Sequence, residues 1–364
     1  LNAMMGLRYS SEPERSGFVS LPESGNSVIG KGAILHNCVI MDGGRVSDGE
    51  IRRNEIIGRG YSVHRDSAAI IKLPFFRSCD FRKIRISNLQ EQGSNRKFYR
   101  IRIGVKKTQI LMMSSPDDVD FNRFIKLGRY LKREKISVPE IYKSDFRTYS
   151  VLMEDLGDVT LNLAMKSVSD RCSLLKRAID FLIDFQYRTF SSAKRNVNRE
   201  FGFDGLRWES EYFMSNFVSK FAGVDPRKFL GIDLELDMIA KTALSCPQLL
   251  CHRDFQSQNI MLNRNGVIGI VDFQGARMGP FTYDLMSLLR DAYLELPEGE
   301  IRELSRYYHD RFSIRFSGLF PSISEEEFAR FANVSGVQRM MQALGAFAYL
   351  GLVKGKKIYL GFIP

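Results

Sequence analysis

The spacing of hydrophobic positions changes three times along this chain. Over residues 28–58, VIGKGAILHNCVIMDGGRVSDGEIRRNEIIG, apolar side chains return every six positions at Ile29, Leu35 and Met41, with Ala33 and Val39 between them and glycines at 30, 32, 43, 44 and 49. A six-residue period with glycine punctuation predicts a coil of short flat β-segments, a left-handed β-helix-like strip. About five hexads make fewer than two coils, and such coils need roughly three stacked units to bury a core. The strip is therefore expected to pack on the rest of the chain, on a second copy, or on a segment upstream. Residues 1–27, rich in Ser, Gly, Pro and Glu, read as a flexible lead-in.

From about Ser62 the pattern becomes one of short apolar runs. FRKIRIS (81–87), KFYRIRIG (97–104), TQILMMS (108–114) and YSVLMED (149–155) are rich in Ile, Tyr and Phe and predict an antiparallel sheet. Between the last two, Phe121, Phe124, Ile125 and Leu127 to Leu131 fall at helical spacing. Beyond Gly157 the helical period dominates. Leu174, Leu175, Ala178, Ile179, Leu182 and Phe185 share one face of 173–190, and 336–353 is apolar in the same rhythm. The predicted class is α+β, with a lead-in (1–27), a repeat strip (28–60), a strand-rich lobe (61–155) and a helical lobe (156–364).

Composition narrows the class further. Apolar residues at 44% and charged ones at 26% are ordinary for a globular chain, and no apolar run is long enough to cross a bilayer. Five scattered cysteines, odd in number and without a CxxC pair, argue against a disulfide framework or a zinc site and for a reducing, cytoplasmic setting. The net charge of +11 admits anionic partners. The basic residues are dispersed and lack an Arg/aromatic recognition motif, so nucleic acid is not expected. Because the chain opens on leucine, it reads as a piece of a longer product.

One tripeptide occurs twice. In CHRDFQSQNIML, His252-Arg253-Asp254 is followed by Asn259, and then by the runs IML and VIGIVDF, which predict a hairpin ending at Asp272. The hairpin brings Asp272 back toward Asp254 and Asn259. Such a set suits phosphoryl transfer: Asn259 and Asp272 offer hard oxygen ligands to Mg2+, and Asp254, off the metal, accepts the proton of an attacking hydroxyl. At His64-Arg65-Asp66 the fifth position after the aspartate is Ile71, no comparable hairpin follows, and a surface turn is the reading.

HRDFQSQN, LMEDLG and IVDFQGARMGPFTYDLMSLL resemble the aminoglycoside phosphotransferase and choline kinase superfamily, relatives of the protein kinases. DFQGARMGPFTYDLMSLLRDAY, GSNRKFYRI and the segments VQRMMQALGAFAYLG and GKKIYLGFIP are similar to its bacterial anomeric kinases of N-acetylmuramate and N-acetylglucosamine. The resemblance implies a bilobal protein-kinase-like fold, with an antiparallel nucleotide-binding lobe before the helical one, and ATP and Mg2+ as cofactors. It also implies that Gly93, Ser94, Asn95 and Arg96 cover the phosphates, that backbone near Glu154 and Leu156 meets adenine, and that Asp284 and its neighbours buttress the catalytic loop. The expected acceptor is a sugar, phosphorylated at its anomeric hydroxyl, with Trp208 and Glu211 as candidate contacts alongside Glu209 and Tyr212. The hexad strip resembles the repeats of sugar-1-phosphate nucleotidyltransferases, which implies such a domain upstream or as a partner.

One departure stands out. Kinases hold the α- and β-phosphates with a lysine on the third strand; here that strand reads ILMMSS, with Met112 in its place. Arg96, Lys97 and Arg100 are the candidate substitutes. Two alternatives follow: an aminoglycoside- or choline-type kinase, whose cationic acceptors suit a basic chain poorly, and a degenerate nucleotide-binding module without catalysis.

Overall fold

The computed structural model describes residues 8–9, 14–16, 26–53, 55–59, 61–64, 70, 72–76, 79, 84–89, 96–105, 108–263 and 265–363. It divides into two units, one of residues 1–118 and 141–155, the other of 119–140 and 156–364.

The first unit opens on parallel pairs of very short strands. Val28 lies opposite Arg45, Ile34 opposite Ile51 and Val39 opposite Ile56, each partner seventeen residues on. Ile29, Ala33, Leu35, Cys38, Ile40, Val46 and Ile57 form one buried cluster. Met41, placed in the hexad core by its spacing, is 46% exposed, and its neighbour Ile40 turns inward instead. Glycine is needed at Gly30, where a Cβ would lie 2.3 Å from the Asp48 nitrogen.

The unit's sheet has five strands: β1 (Ile84–Leu89), β2 (Lys97–Ile103), β3 (Gln109–Met113), β4 (Ile141–Asp145) and β5 (Ser150–Glu154). They run antiparallel in the order β1-β2-β3-β5-β4. β4, IYKSD, has no apolar run and gave no sequence signal. Alternate residues Ile84, Ile86, Tyr99, Ile101, Leu111 and Leu152 build one core face with Phe75 and Phe76. Burying six such side chains at about 1.5–3 kcal/mol each makes this face the main favourable contribution in the sheet.

The second unit is mainly helical. It contains α1 (Phe121–Arg133), α2 (Arg171–Thr189), α3 (Phe203–Phe213), α4 (Ile232–Ser245), α5 (Tyr283–Leu289), α6 (Glu298–Arg315) and α7 (Glu325–Ala348). α7 starts on a capping box, Ser324 and Glu327 bonding each other's backbone nitrogens, which fixes its first turn. α3 and α7 both run on into π-helical turns, at Met214–Phe221 and Tyr349–Val353. Two small ladders sit among the helices: β6 (Gln248–Cys251) pairs with β9 (Arg277–Pro280), and β7 (Ile260–Leu262) with β8 (Ile268–Ile270). Among the described residues, no helix is long and apolar enough to cross a membrane.

Candidate active site

The two ladders bring the second His-Arg-Asp segment and the Asp272 segment together. β6 delivers the chain to His252, and β9, opposite it, begins just after Gly275. The β7–β8 hairpin carries the chain back, so that the Val271 nitrogen donates to the Asn259 oxygen at 3.0 Å. The predicted hairpin ends earlier than its sequence suggested. β8 stops at Ile270, and Asp272 sits two residues beyond it in the left-handed region (φ 64°), opening a 3-10 turn over Phe273–Gly275. β8 packs closely on its neighbours at Gly269, where a Cβ would meet the Ser137 side chain at 2.9 Å and Leu156 at 3.2 Å.

The loop is clamped at its backbone. Asp284, fully buried at the start of α5, accepts from the His252 nitrogen at 2.6 Å and the Arg253 nitrogen at 2.9 Å. One carboxylate thus satisfies two consecutive N–H groups that the left-handed Arg253 (φ 77°) turns away from the ladder. Burial raises the Asp284 carboxyl from its usual range to about 6, although His252 and both backbone N–H groups favour its charged form. Further along, Asp291 accepts from the Ser257 nitrogen at 2.7 Å. His252 is fully buried, with Nε2 2.9 Å from the Val271 oxygen, so it ties the loop to the hairpin.

A second set of contacts holds Arg253 and Asp254 from α3 and α7. Arg253 donates to Glu209 at 2.6 Å, and Glu209, wholly buried, also accepts from Tyr283 and from Gln338 at 3.1 Å. This places Glu209 in the packing of the loop, away from the role of a sugar contact. Arg339 donates to the Ser287 hydroxyl at 2.7 Å and lies 3.6 Å from an Asp254 carboxylate oxygen. The Asp254 side chain keeps 39% exposure. Asn259 donates its amide to the Asp254 carbonyl at 2.9 Å, which assigns its Oδ1 the acceptor role. Asp272 is exposed and accepts from Gln274 at 2.5 Å. Phe273, beside it, stacks on Phe124 of α1 with ring centroids 5.0 Å apart, while Arg123 donates to the Gln274 oxygen at 2.8 Å and to the Ala276 oxygen.

The other expected residues are placed as follows. Gly93, Ser94 and Asn95 lie outside the described residues, as do Arg65 and Asp66 of the first tripeptide. Arg96, in the first unit, is 7% exposed and grips Asp118 with both arms of its guanidinium, at 2.7 and 3.1 Å. Arg100 binds Asp155 in the same way, at 2.7 and 3.0 Å. Met112 is fully buried. Glu154 ends β5, and Leu156 is half-buried over Gly269. Trp208 is 54% exposed and stacks on Tyr212 at 5.0 Å, while Glu211 is exposed on the same helix. Arg339, Ser287, Gln338 and Arg123 were not singled out by sequence. Their one signal is polarity at core-facing positions of otherwise apolar helical runs.

This geometry is that of a phosphotransferase, and the comparisons agree: the chain belongs to the phosphotransferase enzyme family, which matches residues 85–317. The match leaves residues 28–60 outside. The chain is 29% identical to the N-acetylmuramate/N-acetylglucosamine kinase of Pseudomonas aeruginosa, over 75% of this chain and 78% of that one. It is 30% identical to the kinase of the same name from Neisseria meningitidis serogroup B, over 74% and 79%. An aminoglycoside 2′-phosphotransferase solved with GDP shares the fold, with a TM-score of 0.57 at 15% identity over 82% of this chain and 94% of that one.

Proposed function

We propose that the protein transfers the terminal phosphoryl group of ATP to the anomeric hydroxyl of an N-acetylated amino sugar, giving a sugar 1-phosphate. Asp254 carries this reading: its carboxylate stays accessible while the backbone around it is fixed by Asp284, Asp291 and His252. A base held this way orients the attacking hydroxyl and takes its proton as the new P–O bond forms. The names of the relatives at 29% and 30% identity supply the acceptor class.

Asn259 Oδ1 and the Asp272 carboxylate fit a hard divalent ion. One is an amide oxygen whose nitrogen is already committed to the loop, and the other is an exposed carboxylate on a strained, fixed turn. Magnesium takes only one or two ligands from protein, the rest of its shell coming from phosphates and water. When bound, magnesium neutralises charge on the transferring phosphoryl group. Gly93 to Arg96 and the backbone of Glu154 and Leu156 are proposed to face the nucleotide. Trp208, stacked on Tyr212 and next to the loop-binding Glu209, offers an aromatic face for a pyranose, with Glu211 as a hydroxyl partner.

The test uses the purified protein, ATP and Mg2+ with N-acetylated hexoses, choline and aminoglycosides, read by phosphorus NMR. An anomeric phosphate that vanishes in Asp254→Ala supports the reading. Turnover confined to choline or aminoglycosides overturns the acceptor, and nucleotide binding without transfer to any acceptor overturns catalysis.

A further inference from the structure

Four arginines of the second unit crowd around the turn that follows Asp272: Arg123, Arg199, Arg253 and Arg277. Three of them are accounted for. Arg253 has the buried Glu209 at 2.6 Å, Arg199 has Asp120 at 3.2 Å, and Arg123 spends its guanidinium on the carbonyls of Gln274 and Ala276.

Arg277 is different. Its Nε donates to the Gly275 oxygen at 3.3 Å, and its guanidinium lies 5.6 Å from the centre of the Phe201 ring, which Arg253 also faces at 4.9 Å. Among the described residues no carboxylate pairs with it. Burial, then the like charges of Arg253, Arg199 and Arg123, lower Arg277 to about 10, with only Glu209 opposing. A half-buried arginine set among other arginines, without a counter-ion of its own, is an unfavourable arrangement that a bound anion relieves.

The position of Arg277 ties it to the reaction. It pairs with Cys251 across the β6–β9 ladder, so β9 begins at Arg277 at the same end of one small sheet where β6 ends, three residues before Asp254. Gly275, two residues before Arg277, lies against Asp254; a Cβ there would be 3.9 Å from an Asp254 carboxylate oxygen.

We infer that Arg277 is a specificity-determining residue that binds a carboxylate carried by the sugar acceptor, so that the site favours an acidic amino sugar over its neutral counterpart. The inference rests on the sugar-kinase reading above. A planar guanidinium offers paired donors that match a carboxylate, and the neighbouring positive charges add attraction without contact. A neutral sugar leaves the cluster unrelieved.

The experiment compares N-acetylmuramate, which bears an ether-linked carboxylate, with N-acetylglucosamine, which lacks it. Both kcat/KM and calorimetric binding are measured, in the intact protein and in Arg277→Gln and Arg277→Lys, with thermal unfolding as the check on folding. The expected result is an acidic-to-neutral ratio that falls about tenfold in Arg277→Gln and recovers in part in Arg277→Lys. In the intact protein the binding of the acidic sugar should weaken with salt. An unchanged ratio in a folded Arg277→Gln, or equal binding of both sugars by the intact protein, overturns the inference. If neither sugar is phosphorylated, the sugar-kinase reading fails, and the calorimetric ratio still decides whether Arg277 reads a carboxylate.

Discussion

The loop around Asp254 and the strand around Met112 treat charge differently. In the loop, two buried carboxylates spend themselves on backbone, Asp284 on two N–H groups and Asp291 on two more, while a third, Glu209, holds Arg253 and the Asp254 side chain stays 39% exposed. In the sheet, the charged groups neutralise each other, Arg96 with Asp118 and Arg100 with Asp155, and the third strand presents a fully buried methionine. A carboxylate committed to backbone fixes a shape around a neighbouring reactive group. A carboxylate committed to a guanidinium fixes that guanidinium and reduces its attraction for a phosphate. On the proposed reading the difference separates a region organised for chemistry from one organised for stability, and it can be broken at either end.

The largest effect is expected at Asp254. Asp254→Ala should lower kcat by about a thousandfold, in the range for loss of a positioned acid–base group, with little change in thermal stability because the side chain is part-exposed. A comparable loss of stability would mean that the carboxylate is structural, and the contrast would fail from the loop side. Met112→Lys tests the sheet side. Restoring the kinase lysine places an ammonium where no solvent reaches, and should destabilise the first unit by roughly 4 kcal/mol. Urea unfolding measures it, and a stable variant with tighter ATP binding would show that this strand is a phosphate grip lacking only its lysine.

The legible parts of the molecule were those where period or spacing carries a mechanism. The amphipathic runs of α1 and α2 and the Ile/Tyr-rich strands β2, β3 and β5 were found within a few residues, because half-buried elements must alternate or repeat. Asp254, Asn259 and Asp272 stood out because their spacing needs only a hairpin to bring them together. β4 was missed: IYKSD is an edge strand with little apolar pattern. Met41 misled because a six-residue period does not say which of two adjacent apolar residues, Ile40 or Met41, turns inward. The roles of Arg339 and Gln338 were not legible for a different reason. Their partners are Ser287, Asp254 and Glu209, far away in sequence, and local pattern cannot carry a contact between α7 and the loop.

A pH test sharpens the loop side. The Asp284 carboxyl, at about 6 when folded against 3.8 for an ordinary aspartate, holds its proton more tightly in the folded chain. Between those values the folded state carries more protons than the unfolded one, so stability should fall as pH rises from about 4 through 6. The contribution is at most about 3 kcal/mol for a shift of this size, fully present below the ordinary value and lost above 6. Asp284→Asn should flatten the difference in unfolding free energy between pH 5 and pH 7 relative to the intact protein. An unchanged difference would mean that the two N–H donors and His252 offset the burial of the charge.

The smallest effect decides what Arg96 is for. If its fork on Asp118 is the whole of its role, Arg96→Ala and Asp118→Ala should each cost stability. The double variant should then cost less than their sum by about 1–2 kcal/mol, the coupling of a charge-assisted, part-buried pair. Urea unfolding of the four chains supplies that cycle, and ATP titration of the same four supplies the other reading. Asp118→Ala removes one competitor for Arg96 while leaving its charge. Tighter ATP binding in that variant would therefore make Arg96 a phosphate ligand held in check by its own neighbour. Equal ATP affinity in all four chains would leave Arg96 as a structural residue. The phosphate grip that Met112 does not provide would then have to come from other residues.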